Sequence, residues 1–147
     1  MTVTIAQIET KVASVLLFTF LLSASAAAQA RQKPEELAQQ SSEAWLAVVD
    51  SGKYAQSWDE AAQLFQAAIT NDQWQSALGG ARTPQSKVLS RKLKSATYTK
   101  TLPGAPDGEY VVIQYDTGFE HKRSAVETVV PMVDKDGKWR VSGYFIK

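Results

Sequence analysis

The sequence predicts an α+β domain, in which N-terminal helices pack on one face of a four-stranded antiparallel sheet. Between residues 37 and 78, apolar residues recur with the period of three to four that is typical of amphipathic helices. From residue 88 onward the period changes to two, and turn-forming residues divide this part into four runs. The order of these patterns, helices first and strands second, indicates a single α+β domain.

The first helix is predicted to start near Glu35 and Glu36, because acidic residues are favourable at the positive end of a helix dipole. Gly52 should end it, since glycine readily adopts the positive φ that follows many helices. Between these points an amphipathic stripe is formed by Leu37, Ser41, Ala44, Trp45, Val48 and Val49.

Two further helices are predicted before the sheet. Ser57 and Glu60 have capping-box spacing, so a second helix should open at Ser57 and present Trp58, Ala62, Phe65 and Ile69 on one stripe. Thr70 and Gln73 repeat that spacing and predict a third, short helix, which Gly79-Gly80 should end.

Four strands are predicted, over residues 88–101, 109–119, 125–133 and 139–146. The second has the strongest alternation, with Val111, Ile113, Tyr115 and Phe119 on one face. Pro131 predicts a bulge or an edge position in the third strand, because proline cannot donate to the sheet. In the fourth strand, alternation turns Trp139, Val141, Gly143 and Phe145 toward the core.

Residues 1–30 have the pattern of a cleavable secretory signal peptide. Lys11 precedes an apolar run over residues 12–22, and small residues follow up to Ala30. The run is shorter than the roughly 20 residues that cross a bilayer, although residues 23–28 lengthen it and leave an uncleaved anchor as the alternative. Cleavage after Ala30 and cleavage after Ala28 both fit. We therefore expect a periplasmic or secreted protein with no membrane span after signal removal.

Removal of the signal leaves a linker, residues 31–36, and one domain, residues 37–147. The absence of cysteine excludes disulfides, thiol catalysis, cysteine-based metal sites and an acylated N-terminal cysteine. The formal net charge is +1, and no aromatic–basic motif of the RNA-binding type occurs, so nucleic acid is not an expected partner. Asp134 and Asp136 match only part of a calcium loop, and no metal or cofactor is predicted.

A run without acidic residues extends over residues 73–106. Its basic residues are Arg82, Lys87, Arg91, Lys92, Lys94 and Lys100. Such a run can bind an anionic partner, but it is more often a solvated strand face that discourages edge-to-edge pairing, and we favour that interpretation. If this run binds a partner, strand alternation would place Lys92, Lys94 and Lys100 on one face, where they could act together.

Four segments together resemble the bacterial domain-of-unknown-function family numbered 4019: AWLAVVDSGKYAQSWDEAAQLF, LSRKLKSATY, LPGAPDGEYVVIQYDTGF and VETVVPMVDKDGKWRVSGYFIK. The resemblance covers nearly all of residues 38–147 and implies a small exported bacterial domain, with no known activity to carry over. The order of elements is also similar to the nuclear-transport-factor-2-like, or cystatin-like, roll, in which helices pack into a curved sheet. The strand that this superfamily often places between its second and third helices is not visible here.

Two function classes follow. The first is a non-enzymatic exported domain that binds an envelope protein or a small ligand, and whether it forms a homodimer stays open. The alternative is a roll-type isomerase, lyase or hydrolase with a base in an apolar cavity, for which Asp116 and His121 are the candidates. Asp116 can equally lie on a wetted sheet face, and His121 can equally lie in an exposed turn. We therefore favour a protein that is not an enzyme. The many tryptophans and tyrosines could line such a cavity, although core packing is the first interpretation.

Overall fold

The computed structural model describes residues 32–147, where helices cover one face of an antiparallel sheet. The signal-peptide prediction for residues 1–30 lies outside the described residues. The helices are α1 Pro34–Asp50, α2 Tyr54–Asp59, α3 Gln63–Ala68 and α4 Asn71–Arg82, with a 3₁₀ turn at Thr83–Gln85. The strands are β1 Val88–Thr99, β2 Tyr110–Phe119, β3 Ala125–Val133 and β4 Trp139–Ile146. Within this part of the chain, no helix is long and apolar enough to cross a membrane.

Helix α1 begins at Pro34, so it takes in the second half of the segment predicted as a linker at residues 31–36. Proline is well tolerated in the first helical turn, where its missing N–H has no intrahelical acceptor. The predicted end is confirmed, because Gly52 follows the helix with a φ of 73°. The side of α1 that faces the sheet buries Ala38, Ser42, Trp45, Leu46 and Val49.

The second predicted helix is wrong in its start and extent. It forms two short helices, α2 and α3, and Ser57 lies inside α2 instead of capping it. The Ser57 hydroxyl donates to the Tyr54 carbonyl at 2.7 Å and accepts from Trp74 Nε1 at 3.0 Å. The Ser57 side chain therefore serves as the acceptor for a buried tryptophan N–H. This contact joins residues 17 positions apart, so the local spacing does not predict it.

Helix α4 starts as predicted. The Thr70 hydroxyl accepts from the Gln73 backbone N–H, and the Gln73 side chain accepts from the Thr70 N–H. The predicted end is wrong, because α4 continues through Gly79-Gly80 to Arg82. Glycine inside a helix costs up to about 1 kcal/mol per residue relative to alanine, and the burial of Leu78 together with the ion pairs of Arg82 offsets that cost.

The strands follow chain order in the sheet, β1-β2-β3-β4, and every neighbouring pair is antiparallel. The irregularity predicted at Pro131 is confirmed: the register shifts between Val130 and Pro131, and the extra residue is Ser142 on β4. The Ser142 hydroxyl donates to the Val130 carbonyl at 2.8 Å. Beta bulges bend a strand and change which face its later residues occupy.

The bulge at Ser142 overturns part of the predicted alternation in β4. Val141 faces the core as expected, but beyond the bulge Tyr144 is buried, and Phe145 is 59% exposed. Strand β1 carries two further register shifts, which leave Leu89 and Lys94 without a paired residue on β2. The confirmed α+β architecture thus contains a sheet bent by three bulges.

Aromatic side chains fill the space between helices and sheet. Trp45 lies 6.0 Å from Trp74 and 5.4 Å from Tyr144, and Phe65 meets Trp74 edge to face at 4.9 Å, all measured between ring centroids. The Trp45 N–H donates to the Ser57 carbonyl at 2.7 Å. These rings pack on one another, which agrees with core packing as their first interpretation.

Candidate functional site

A cluster of charged side chains lies between the helices and the sheet. It consists of Asp50 and Arg82 at the ends of α1 and α4, Arg91 of β1 and Glu127 of β3, and we call it the charged cluster. Arg91 and Glu127 occupy sheet positions that face the helices, and the Glu127 side chain is completely buried. Two arginines therefore link four separate elements through two carboxylates, of which Glu127 is buried.

Glu127 accepts hydrogen bonds through both carboxylate oxygens. Oε2 accepts from Arg91 Nε at 2.7 Å and from the Thr117 hydroxyl at 2.6 Å. Oε1 accepts from Arg82 Nη1 at 3.3 Å, from Arg91 Nη2 at 3.2 Å and from the Tyr144 hydroxyl. Because a carboxylate offers about four acceptor sites, Glu127 has no oxygen left to take a substrate proton.

Asp50 joins the two arginines from the other side. It accepts from Arg82 Nη2 and from Arg91 Nη1, both at 2.7 Å, while its side chain stays 28% exposed. Burial by itself raises the pKa of Asp50, but the Arg91 and Arg82 guanidinium groups outweigh burial and hold that pKa below its usual value. Burial, and then the Glu127 charge, raise the pKa of the Tyr144 hydroxyl and keep it a donor.

The charged cluster balances two carboxylates with two guanidinium groups, and its hydrogen bonds are directed inward. Arg82 also lies over the Phe119 ring, with 5.0 Å between its Cζ and the ring centroid. Such an arrangement fixes the ends of helices and strands relative to each other. Sequence analysis missed it, although Glu127, a charge among the core-facing residues of β3, was the available signal.

The two candidate catalytic residues lie in different surroundings. Asp116 points to the sheet face away from the helices, is 60% exposed and pairs with Lys94 Nζ at 3.2 Å. His121 is exposed in the turn between β2 and β3, where its Nδ1 lies 3.1 Å from the Pro84 carbonyl oxygen. The structure places neither residue in the apolar cavity that the enzyme hypothesis requires.

The basic run does not form one surface. Arg82 and Arg91 belong to the charged cluster, and the bulge at Lys94 interrupts the alternation on which joint action was predicted. Lys92 pairs in register with Asp116, whereas the Lys100 carbonyl meets Gly108 beyond the far end of β1. Lys92 and Lys94 are thus neighbours on the outer sheet face, and Lys100 is remote from both.

A cleft of about 500 Å³ opens between α3, the loop before β2 and the end of β3. We call it the apolar cleft, because most of its wall consists of Leu64, Ala67, Pro106, Tyr110, Met132 and Val133. Four polar residues complete the lining: Gln63, Asp107, Asp134 and Lys135. The sequence pattern did not predict this cleft, since its lining comes from three segments that meet only in the fold, and Asp134 was considered only as part of a calcium loop.

Asp134 is the buried carboxylate of this cleft, and its oxygens are engaged in structural contacts. Oδ2 accepts from the Gln63 backbone N–H at 3.0 Å and lies 3.4 Å from Arg140 Nη1. Oδ1 accepts from the Lys135 backbone N–H at 2.9 Å. Asp134 therefore ties α3 to the β3–β4 hairpin. Residues 32–147 contain no group of three or more side chains arranged to hold a metal ion.

Comparison with known proteins gives a family and no activity. Residues 41–144 match the model of the family described as a protein of unknown function, DUF4019, and the chain belongs to that family. No curated protein matches the chain. No solved structure matches it.

Proposed function

We propose that this member of the family is an exported, non-enzymatic binding module that holds a small molecule with an apolar body in the apolar cleft. The observation that carries the proposal is the composition of that cleft. A wall of six apolar side chains with a few polar groups, enclosing about 500 Å³, is typical of small-molecule sites.

Size and lining favour a small molecule as the occupant over a protein. Small-molecule sites commonly measure about 300–1,000 Å³, whereas a stable protein partner needs about 800 Å² of surface on each side. Asp107 and Lys135 supply one charge of each sign beside the apolar wall. A ligand with an apolar body and a polar end would satisfy both parts.

The absence of catalytic activity is part of the proposal, and the state of the carboxylates supports it. A general base needs a free acceptor within reach of the substrate. Glu127 is saturated by its donors, Asp134 is engaged with backbone N–H groups, and Asp116 is ion-paired in solvent. Asp107, which also lines the cleft, is exposed to solvent and lacks the burial that would tune it as a base. The enzyme alternative with Asp116 or His121 gains no support from their placement.

Export to the bacterial periplasm, or out of the cell, is also part of the proposal. Its support is the charged start, apolar centre and small-residue end of residues 1–30. We further propose that the domain is a variant of the nuclear-transport-factor-2-like roll, because helices cover one face of a sheet that bulges bend. Mass spectrometry of the protein isolated from cell fractions tests the export proposal. A mature N-terminus at Arg31 or Gln29 supports export, and an intact N-terminus contradicts it.

The binding proposal can be tested with a neutral apolar dye, Nile red, and the mature exported protein, because the apolar run of residues 12–22 would itself bind the dye. Ala67 lines the cleft and Ala68 does not, although both are exposed on α3. Ala67→Arg should fill the cleft and abolish the dye fluorescence that the wild type induces, while Ala68→Arg should retain it. Equal dye binding by the two variants, or none by the wild type, would overturn the proposal.

A further inference from the structure

A second, smaller pocket lies on the outer face of the sheet, where β1 meets the turn between β2 and β3. Its volume is about 210 Å³. Two basic residues, Lys92 and Arg123, and two hydroxyl-bearing residues, Ser90 and Ser124, contribute to its lining. We call these four residues the oxyanion pocket. They come from two segments that are far apart in the sequence, and all four can donate hydrogen bonds.

The basic groups of the oxyanion pocket keep their charge available. The ion pairs formed within residues 32–147 include neither Lys92 nor Arg123. Asp116 also lines the pocket, but its carboxylate is paired with Lys94 at 3.2 Å. Within the described residues, the lining thus contains two basic residues without an ion pair and one carboxylate that already has a partner.

Gly118 lets the two segments of this pocket pack closely against the strand. A Cβ at that position would lie 2.9 Å from the Ser90 hydroxyl oxygen and 3.3 Å from the Arg123 carbonyl oxygen, closer than side chains normally pack. Ser90 and the Arg123 carbonyl therefore lie directly against the strand backbone, which brings the two segments of the oxyanion pocket together.

We infer that the oxyanion pocket binds a phosphate group. Guanidinium and ammonium groups flanked by hydroxyl donors match the several acceptor oxygens of phosphate, and arginine can bind two of them at once. A volume of about 210 Å³ accommodates one such group. This site lies at the Asp116 end of β2, whereas the apolar cleft lies at the Tyr110 end, so the inference does not depend on the proposed function.

Inorganic phosphate titrated into the full chain, followed by calorimetry at low salt, tests the inference. We expect Lys92→Gln combined with Arg123→Gln to weaken binding about tenfold or more, because two charge-assisted hydrogen bonds are lost. The control, Lys53→Gln with Lys138→Gln, removes the same charge from exposed positions outside the pocket and should leave affinity within about twofold. Asp116→Asn should strengthen binding, because it removes a negative charge from the lining.

The source of the phosphate group is settled by a second measurement with the same variants. Vesicles of phosphatidylglycerol are compared with vesicles of phosphatidylcholine, and only a difference between the pocket variant and its control is counted. Loss confined to inorganic phosphate assigns a free phosphate, and loss on the anionic vesicles assigns a lipid headgroup. Equal affinity of the pocket variant and the control for both probes would overturn the inference. Nile red binding should be unchanged in the pocket variant, which separates this test from that of the apolar cleft.

Discussion

At the scale of single residues, placement decides what a charge does. Arg91 and Lys92 are adjacent in the sequence, yet Arg91 faces the helices and bonds Glu127 and Asp50, while Lys92 lies on the outer face. Strand alternation separates them. The arginine therefore stabilises the fold, and the lysine remains available to a ligand.

Replacing Glu127 should show how much the charged cluster depends on one carboxylate. Glu127→Gln leaves two buried guanidinium groups without a full counter-charge, and removal of one partner from a buried pair costs about 3–5 kcal/mol. Urea unfolding measures the loss. Asp107→Asn makes the same chemical change at an exposed position and should alter stability by less than about 0.5 kcal/mol.

Two further variants keep the prediction testable if Glu127→Gln fails to fold. If Glu127→Gln is unfolded from the start, Thr117→Val and Tyr144→Phe each remove a single donor to Glu127, and losses of about 1–2 kcal/mol are expected. Equal stability of Glu127→Gln and Asp107→Asn would contradict the role assigned to the charged cluster.

At the scale of elements, a local signal held where its hydrogen bonds close within one turn and failed where distant contacts compete with it. The capping box at Thr70 and Gln73 formed because both of its hydrogen bonds lie within one turn. Gly79-Gly80 did not stop α4, because the residues on either side of it are held by the core and by the charged cluster. A helix end is thus set by the contacts of the whole turn, and a pair of glycines is a weaker determinant.

Gly80→Ala tests this account of α4. Gly80 lies inside the helix, and a Cβ added there meets no atom within 4 Å. Alanine should therefore raise the free energy of unfolding by about 0.5–1 kcal/mol, since it reduces the backbone entropy of the unfolded chain. Gly52→Ala is the control and should destabilise, because Gly52 has a φ of 73°. Destabilisation by Gly80→Ala in urea unfolding would mean that the helix ends earlier in solution.

At the scale of the whole molecule, the charged cluster links elements that the chain order keeps apart. The last residues of α1 and α4 meet β1 and β3 through salt bridges of 2.7–3.3 Å. Tyr144 connects these contacts to the aromatic core, because its ring packs on Trp45 and its hydroxyl donates to Glu127. The stability of the domain should consequently depend on the ionisation of its carboxylates.

Acid should destabilise the protein in part through Asp50. The pKa of Asp50 is lower in the folded state than the unfolded value near 3.9, so its contribution is present above about pH 4 and is lost as pH falls through the folded pKa. Asp50→Asn should be less stable at neutral pH and should show a weaker loss of stability between about pH 5 and 2. Urea unfolding across that range measures both. An unchanged pH dependence in the variant would contradict this assignment.

The sequence by itself determined the α+β class, the α4 cap, the bounds of β3 and β4 and the irregularity at Pro131. Each follows from hydrogen bonding or alternation within a few neighbouring residues, which local patterns express directly. Asp116, His121, Lys92 and Lys94 were placed on the correct strands and turn by the same logic. Their partners were not predicted.

Only the tertiary structure decided the division of the second helix, the reversal of β4 after Ser142, and every site described above. The bulge moves Tyr144 inward to Glu127, and that carboxylate then gathers Arg82 and Arg91 from other elements. The apolar cleft and the oxyanion pocket likewise combine residues from separate segments. Such contacts depend on the packing of distant parts of the chain, and the period of a local pattern carries no information about them.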